Sequence, residues 1–200
     1  GHLTDAKGRR VNFRNTIIVS LILAAVMIVG FGMHSPHGFD DVFWQALLRW
    51  VHVFFGILWI GLLYYLNFVQ VPTMPTVPDE LKKGVTGFIA PKVFFFFRWA
   101  ALLTVVTGLV IAAVNGYAHQ AMTFSGEGNV NLIGLGMWLA LIMAANVWFV
   151  IWPAQKRLLG IVEATAEEKA KLAPRALIAS RANLLLSLPM LYAMTSANLG

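Results

Sequence analysis

The sequence predicts an all-α integral membrane bundle of five transmembrane helices, a single transmembrane domain over residues 1–200. Three observations predict it. Of the 200 residues, 58% are hydrophobic and only 12% are charged, where soluble domains carry about 25% charged residues. The apolar residues gather into five blocks, each near the ~20 residues that a bilayer requires. The lysines and arginines between the blocks fall into alternate connections, as membrane topology demands.

The first span, 16–32, follows Lys7, Arg9, Arg10 and Arg14 and so has the start of a signal peptide. It lacks a small-residue cleavage site, because Met33-His34-Ser35-Pro36 comes next, and it reads as a retained helix. The second span is 43–69. The connection 70–93 holds Pro72, Pro75, Pro78 and Pro91 around Asp79-Glu80-Leu81-Lys82-Lys83, and reads as a structured loop with a short surface helix. The third span is 94–114. The connection 115–129 carries Gly116, Gly126 and Gly128 and reads as flexible. The fourth span is 130–153. In 154–175, glutamates precede lysines in a polar helix pattern. The fifth span, 176–197, is expected to kink at Pro189. Gly56 and Gly61, and Gly134, Gly136, Ala144 and Ala145, would let helices approach closely.

Basic residues outside the spans occupy three stretches, Lys7–Arg14, Lys82–Lys92 and Lys156–Arg175, and connections 33–42 and 115–129 have none. With five spans, all three stretches share one side. The positive-inside rule makes that side cytoplasmic, with a cytoplasmic N-terminus, a periplasmic C-terminus and a multi-pass place in the bacterial inner membrane. The net charge of +6 thus reflects topology and lipid contact, with no nucleic-acid partner implied. The sequence has no cysteine, which rules out disulfides, iron–sulfur clusters, zinc–thiolate sites and covalent haem c within it.

None of the nine acidic residues lies in a span, whereas Arg49, Arg98 and Arg181 do. Arg98 and Arg181 sit near the cytoplasmic ends of their helices, where they can snorkel to lipid phosphates. Arg49 has His52 one turn away, and ionisable residues at membrane depth are expensive and often functional. Arg49, His52, Gly56 and Trp59 share one helix face. A haem b edge-on to that face would use all four. His52 would ligate iron, Arg49 would take a propionate, Gly56 would admit the ring and Trp59 would flank it. Arg98 and Arg181 would bind further propionates or an anionic substrate. A second imidazole would come from His34, His37 or His119, all in periplasmic connections. Copper is a competing metal, since Met33-His34-x-x-His37 and His119-x-x-Met122 mix imidazole and thioether. Asn146, deep in the fourth span, reads as a hydrogen-bond donor.

Four stretches carry a family resemblance. They are Leu48-Arg49-Trp50-Val51-His52 with Gly56-x-x-Trp59-Ile60-Gly61; Phe97-Arg98-Trp99; Asn146-Val147-Trp148-x-x-Ile151-Trp152-Pro153-x-Gln155-Lys156; and Ser180-Arg181-x-Asn183-x-x-Leu186-Ser187-Leu188-Pro189-Met190-Leu191. Together, over helices two to five, they resemble the membrane part of the bacterial urate oxidase N-terminal family, the membrane-bound urate hydroxylases. More distantly, a histidine on the first core helix is similar to membrane protoporphyrinogen oxidases and copper-resistance D-type proteins, where haem b or copper is implied. The resemblance implies a membrane oxidoreductase. Full urate hydroxylases carry further helices and a cytochrome c domain, so urate chemistry here would require a separate electron-transfer partner. Three functions follow as expectations: a haem-b redox protein, an accessory subunit of a larger membrane complex, and a urate hydroxylase. Alkaline phosphatase fused after residue 37 or 126 is expected to be active, and fused after residue 162 to be inactive; the reverse pattern would overturn the orientation.

Overall fold

The computed structural model describes residues 3–4, 10–11 and 13–197. Lys7 and Arg9 of the first basic stretch lie outside the described residues. Five helices are long and apolar enough to cross a membrane, as the hydropathy pattern predicts. The chain divides into two compact units, residues 1–47 and 48–200.

In the first unit, Leu3–Thr4 (β1) pairs antiparallel with Arg10–Val11 (β2). Helix α1, Phe13–His34, exposes nearly its whole apolar surface, as a helix facing lipid can. Its C-terminal turn is closed by the His34 Nδ1–H, which donates to the Gly30 carbonyl at 2.8 Å. Gly38, at φ +61°, turns the chain. Asp40 then caps α2 (Asp41–Tyr64), its carboxylate accepting from the Phe43 amide at 2.9 Å.

In the second unit, α2 runs on through a π-helical turn, Tyr65–Gln70, then α3 (Val71–Thr73) and a 3₁₀ turn, Met74–Thr76. Val77 is extended, as a residue before proline tends to be, and the helix stops there. Helix α4 (Asp79–Gly84), a π turn (Val85–Ile89) and α5 (Ala90–Val114) follow without a break. The connection expected to be a loop over 70–93 is therefore almost wholly helical. Two 36-residue helical stretches meet at Val77 and Pro78, each about 54 Å long at 1.5 Å per residue and longer than a bilayer core.

Each π turn stands just before a proline, while Pro174 and Pro189 are carried inside α9 without one. Pro72, Pro91 and Pro153 each stand two residues beyond a π turn, the third being Val147–Ile151 before α8 (Trp152–Leu158). A helical proline has no N–H to donate and crowds the carbonyl four residues back. A widened turn just before it relieves both problems without ending the helix.

The 115–129 connection also differs from expectation. It contains α6, Ala118–Thr123, which packs on α7, Asn129–Asn146. A Cβ on Gly134 would land on the Ala121 carbonyl, so α6 and α7 touch backbone to backbone. The Trp138 indole donates to the Met122 carbonyl at 3.0 Å. After α8, Gly160 at φ +74° ends the helix. Thr165 and Glu168 form a reciprocal capping box for α9, Ala166–Ser196. Glu167 pairs with Lys171 at 2.6 Å, the glutamate-before-lysine arrangement read from the sequence.

The broadest helix contact is α7 against α9. Its centre is polar. The Asn146 amide donates to the Ala179 carbonyl and to Asn183 Oδ1, both at 2.8 Å, and Asn183 donates to the Met143 carbonyl at 3.1 Å. Asn146 is thus a donor, as expected. The Ser187 hydroxyl gives its hydrogen to the Leu184 carbonyl at 2.7 Å and accepts from the Tyr64 hydroxyl at 3.1 Å. Asn67 donates to Ser180 Oγ at 2.9 Å. These bonds tie α9 to α7 and to the end of α2. Around them lies an apolar core with Trp59, Leu63, Phe97, Met143 and Val147 fully buried.

Interhelical hydrogen bonds in membranes contribute about 0.6 kcal/mol each, up to about 1.7. Asn183→Ala removes two, and is expected to lower unfolding stability in detergent by about 1–2 kcal/mol. Gly134→Val is expected to strip α6 from α7, seen as faster proteolysis between residues 115 and 128 with the other helices retained.

Candidate functional site

Of the α2 stripe read from the sequence, His52 has the surroundings of a ligand. Its ring reaches α5, where Nδ1 lies 2.9 Å from the Thr107 hydroxyl oxygen. That hydroxyl has one hydrogen, held by carbonyls of its own helix: Leu103 at 2.6 Å and Thr104 at 3.1 Å. Thr107 therefore accepts, and His52 donates from Nδ1. A neutral imidazole protonated at Nδ1 keeps its lone pair at Nε2, the form that ligates metals. Gly108 makes the approach possible, since a Cβ there would stand 2.9 Å from His52 Cε1.

Beside the ring is a cleft of about 50 Å³. His52, Thr104, Gly108, Met137, Met190 and Met194 line it, with aliphatic residues of α5 and α7. It draws on α2, α5, α7 and α9, so only the packed unit creates it. Imidazole and thioether are its metal-capable donors. Among the described residues no three histidine, cysteine, aspartate or glutamate side chains gather to hold a metal. Sequence reading missed Thr107 and the three methionines. Two signals were available: Thr104, Thr107 and Gly108 share one face of α5, and Met190 and Met194 share one face of α9.

The other stripe residues do different work. Gly56 meets the Thr104 methyl at ordinary contact, its would-be Cβ 3.9 Å away. Trp59 is fully buried in the core, with its indole nitrogen unpartnered among the described residues. Arg49 is exposed, and its charge acts on Tyr117 between α5 and α6. Arg98 lies over the Trp152 ring at 3.8 Å and near Phe95 at 5.3 Å, a cation–π seat. Its carbonyl accepts from the Trp148 indole at 3.0 Å. Arg181 reaches the Asn67 carbonyl at 3.5 Å. Eighteen residues of helix separate Arg49 from Asn67, about 27 Å, so Arg49 and Arg181 do not share one ligand. His119 is exposed on α6. His34 and His37 belong to the first unit.

The donor chemistry suits haem, because imidazole and thioether are an established axial pair for its iron. The space does not enclose a porphyrin: the cleft is far below the roughly 300–1,000 Å³ of small-molecule pockets. As packed, the cleft has room only for a small group of about water size. Flexible methionines form much of its wall, and they repack readily.

One family model matches the chain, that described as urate oxidase N-terminal, over residues 93–200. The match covers just over half of the chain, from the first turns of α5 onward, and includes Thr107, Gly108 and the three cleft methionines. No curated protein and no solved structure matches the chain.

Tyr117 lies between the spans. Burial pushes its phenol above the ordinary value, and the Arg49 charge partly offsets this. Arg49→Gln is therefore expected to raise the Tyr117 titration midpoint further, followed by phenolate absorbance against a Tyr117→Phe control. A midpoint unchanged or lowered would contradict that placement.

Proposed function

We propose, for a chain that belongs to the urate oxidase N-terminal family and has five helices of membrane-spanning length, that it is a multi-pass membrane redox protein whose metal centre is held by His52. The observation that carries this is the Nδ1–H bond to Thr107, which leaves the Nε2 lone pair for a ligand beside a cleft lined by three methionines. Such donors are soft and uncharged and favour monovalent copper. A monovalent ion also asks least of a cleft whose lining has no carboxylate. When bound, the metal supplies one-electron transfer.

The protein's own residues do the rest. Thr107 fixes the tautomer and plane of the imidazole, as outer partners of metal-binding histidines do. Gly108 lets the ring approach α5. The apolar wall would keep water from a bound metal. In the orientation implied by the basic stretches, the centre lies in the periplasmic half of the membrane. A separate membrane subunit or redox partner would supply or accept the electrons. Urate as the substrate of that assembly rests on the family description alone.

Haem b is the second reading. Arg49, exposed one turn from His52, favours it as a propionate partner. The two metals separate in one preparation. Copper bound one to one, lost in His52→Ala and weakened in Met190→Leu with Met194→Leu, is the expected result. A reduced b-type absorption band that disappears in His52→Ala would replace copper with haem at the same ligand. Neither metal bound after supplementation with copper(I) and haemin would overturn the redox reading and leave an accessory membrane subunit. Thr107→Val, which frees the ring, is expected to weaken metal binding by about 10–100-fold without loss of helicity.

A further inference from the structure

A second cavity, of about 250 Å³, lies where the fourth span leaves its apolar stretch and α9 begins its own. Its walls divide by chemistry. Lys156 and Arg157 come from the last turn of α8, and Arg175 comes from α9. Phe149, Val150 and Leu172 line the apolar part. No carboxylate contributes to the lining. Of the nearby acids, Glu167 pairs with Lys171 and Glu168 caps the Thr165 amide, while Glu163, beside the lining residue Val162, is exposed and outside the lining. Among the described residues, the ion pairs seen are Lys82 with Asp79 and Lys171 with Glu167, so these three cations have no acidic partner.

Three cations with no acidic partner, one of them Lys156 lying 5.9 Å from the Trp152 ring, repel one another around one cavity, and an anion between them relieves that repulsion. The apolar half narrows the choice of anion. Phe149, within the fourth span, is 78% exposed, where an acyl chain can lie along it. A small soluble anion would leave that half uncovered. A phosphodiester with attached acyl chains satisfies both halves at once, and basic pockets between membrane helices on the cytoplasmic side bind such headgroups.

We propose that this cavity is a binding site for one anionic phospholipid, its phosphate held by Lys156, Arg157 and Arg175 and its chains lying along Phe149 and Val150. The site bridges α8 and α9 across the Leu159–Thr165 turn. A bound lipid therefore ties together the two helices that the turn joins.

The test uses the full chain, delipidated in mild detergent, with short-chain phosphatidylglycerol or phosphatidylcholine added and bound lipid counted by native mass spectrometry. One phosphatidylglycerol is expected to remain bound, with retention about tenfold or more above phosphatidylcholine. Arg157→Gln with Arg175→Gln should abolish that preference. Each single substitution should reduce it, so the result stands even if the double variant does not fold. Lys82→Gln with Lys83→Gln removes two equally basic residues elsewhere and should leave it unchanged. Equal retention of the two lipids, or equal loss in the Lys82 and Lys83 variant, would overturn the site in favour of diffuse surface charge. Displacement of the lipid by millimolar inorganic phosphate would overturn it in favour of a soluble anion.

Discussion

In hydrocarbon there is no water to satisfy a polar group, so a polar side chain on these helices gains most from a partner inside the protein. Only a few buried polar atoms, the Trp59 indole nitrogen among them, lack one among the described residues. Apolar side chains give little net drive for helix association, since lipid tails are equally apolar. Hydrogen bonds and close packing decide which helices meet. Here the seam from Asn146 through Asn183 to Ser187 and Tyr64, with Asn67 and Ser180 at its end, selects α9 as the partner of α7 and α2. The cleft at His52 exists because those helices are held at that spacing.

The same constraint governs the backbone. Of the prolines inside long helical stretches, Pro174 and Pro189 lie within α9 without a π turn, whereas Pro72, Pro91 and Pro153 would each be costly if they freed a carbonyl into lipid. Each of these three follows a π turn that redirects the hydrogen bonding before the proline is reached. Two of these turns also carry side chains that bind other helices: Asn67 in the first and Trp148 in the third. The irregularity in the helix thus also aims a polar group sideways.

Membrane depth also changes how the arginines are read. Each was a candidate anion ligand because no acid shares the spans. The helices give them different partners. Arg98 rests on an aromatic face, Arg181 turns to a main-chain carbonyl, and Arg49 is exposed and acts on Tyr117. The stripe of Arg49, His52, Gly56 and Trp59 is real as a helix face, yet only His52 combines a fixed tautomer with an adjacent cleft. A helix face sets direction; what lies opposite is set by other helices.

The sequence by itself determined five apolar helices, their order, the glutamate–lysine pairing near the start of α9, and the unusual status of His52. Those depend on composition and on neighbours within a few residues, which the chain carries openly. Membership of the family was legible in motifs such as Ser180-Arg181-x-Asn183 and Asn146-Val147-Trp148, and in space several of these residues form the polar seam or brace α5. Only the tertiary structure decided that 70–93 is helical, that 115–129 contains a helix packed on α7, and that methionines of α7 and α9 line one cleft with His52 of α2. The physical reason is that helix association in a bilayer depends on shape and on a few hydrogen bonds between residues far apart in the chain. Hydrophobic periodicity cannot specify that choice when nearly every face is apolar.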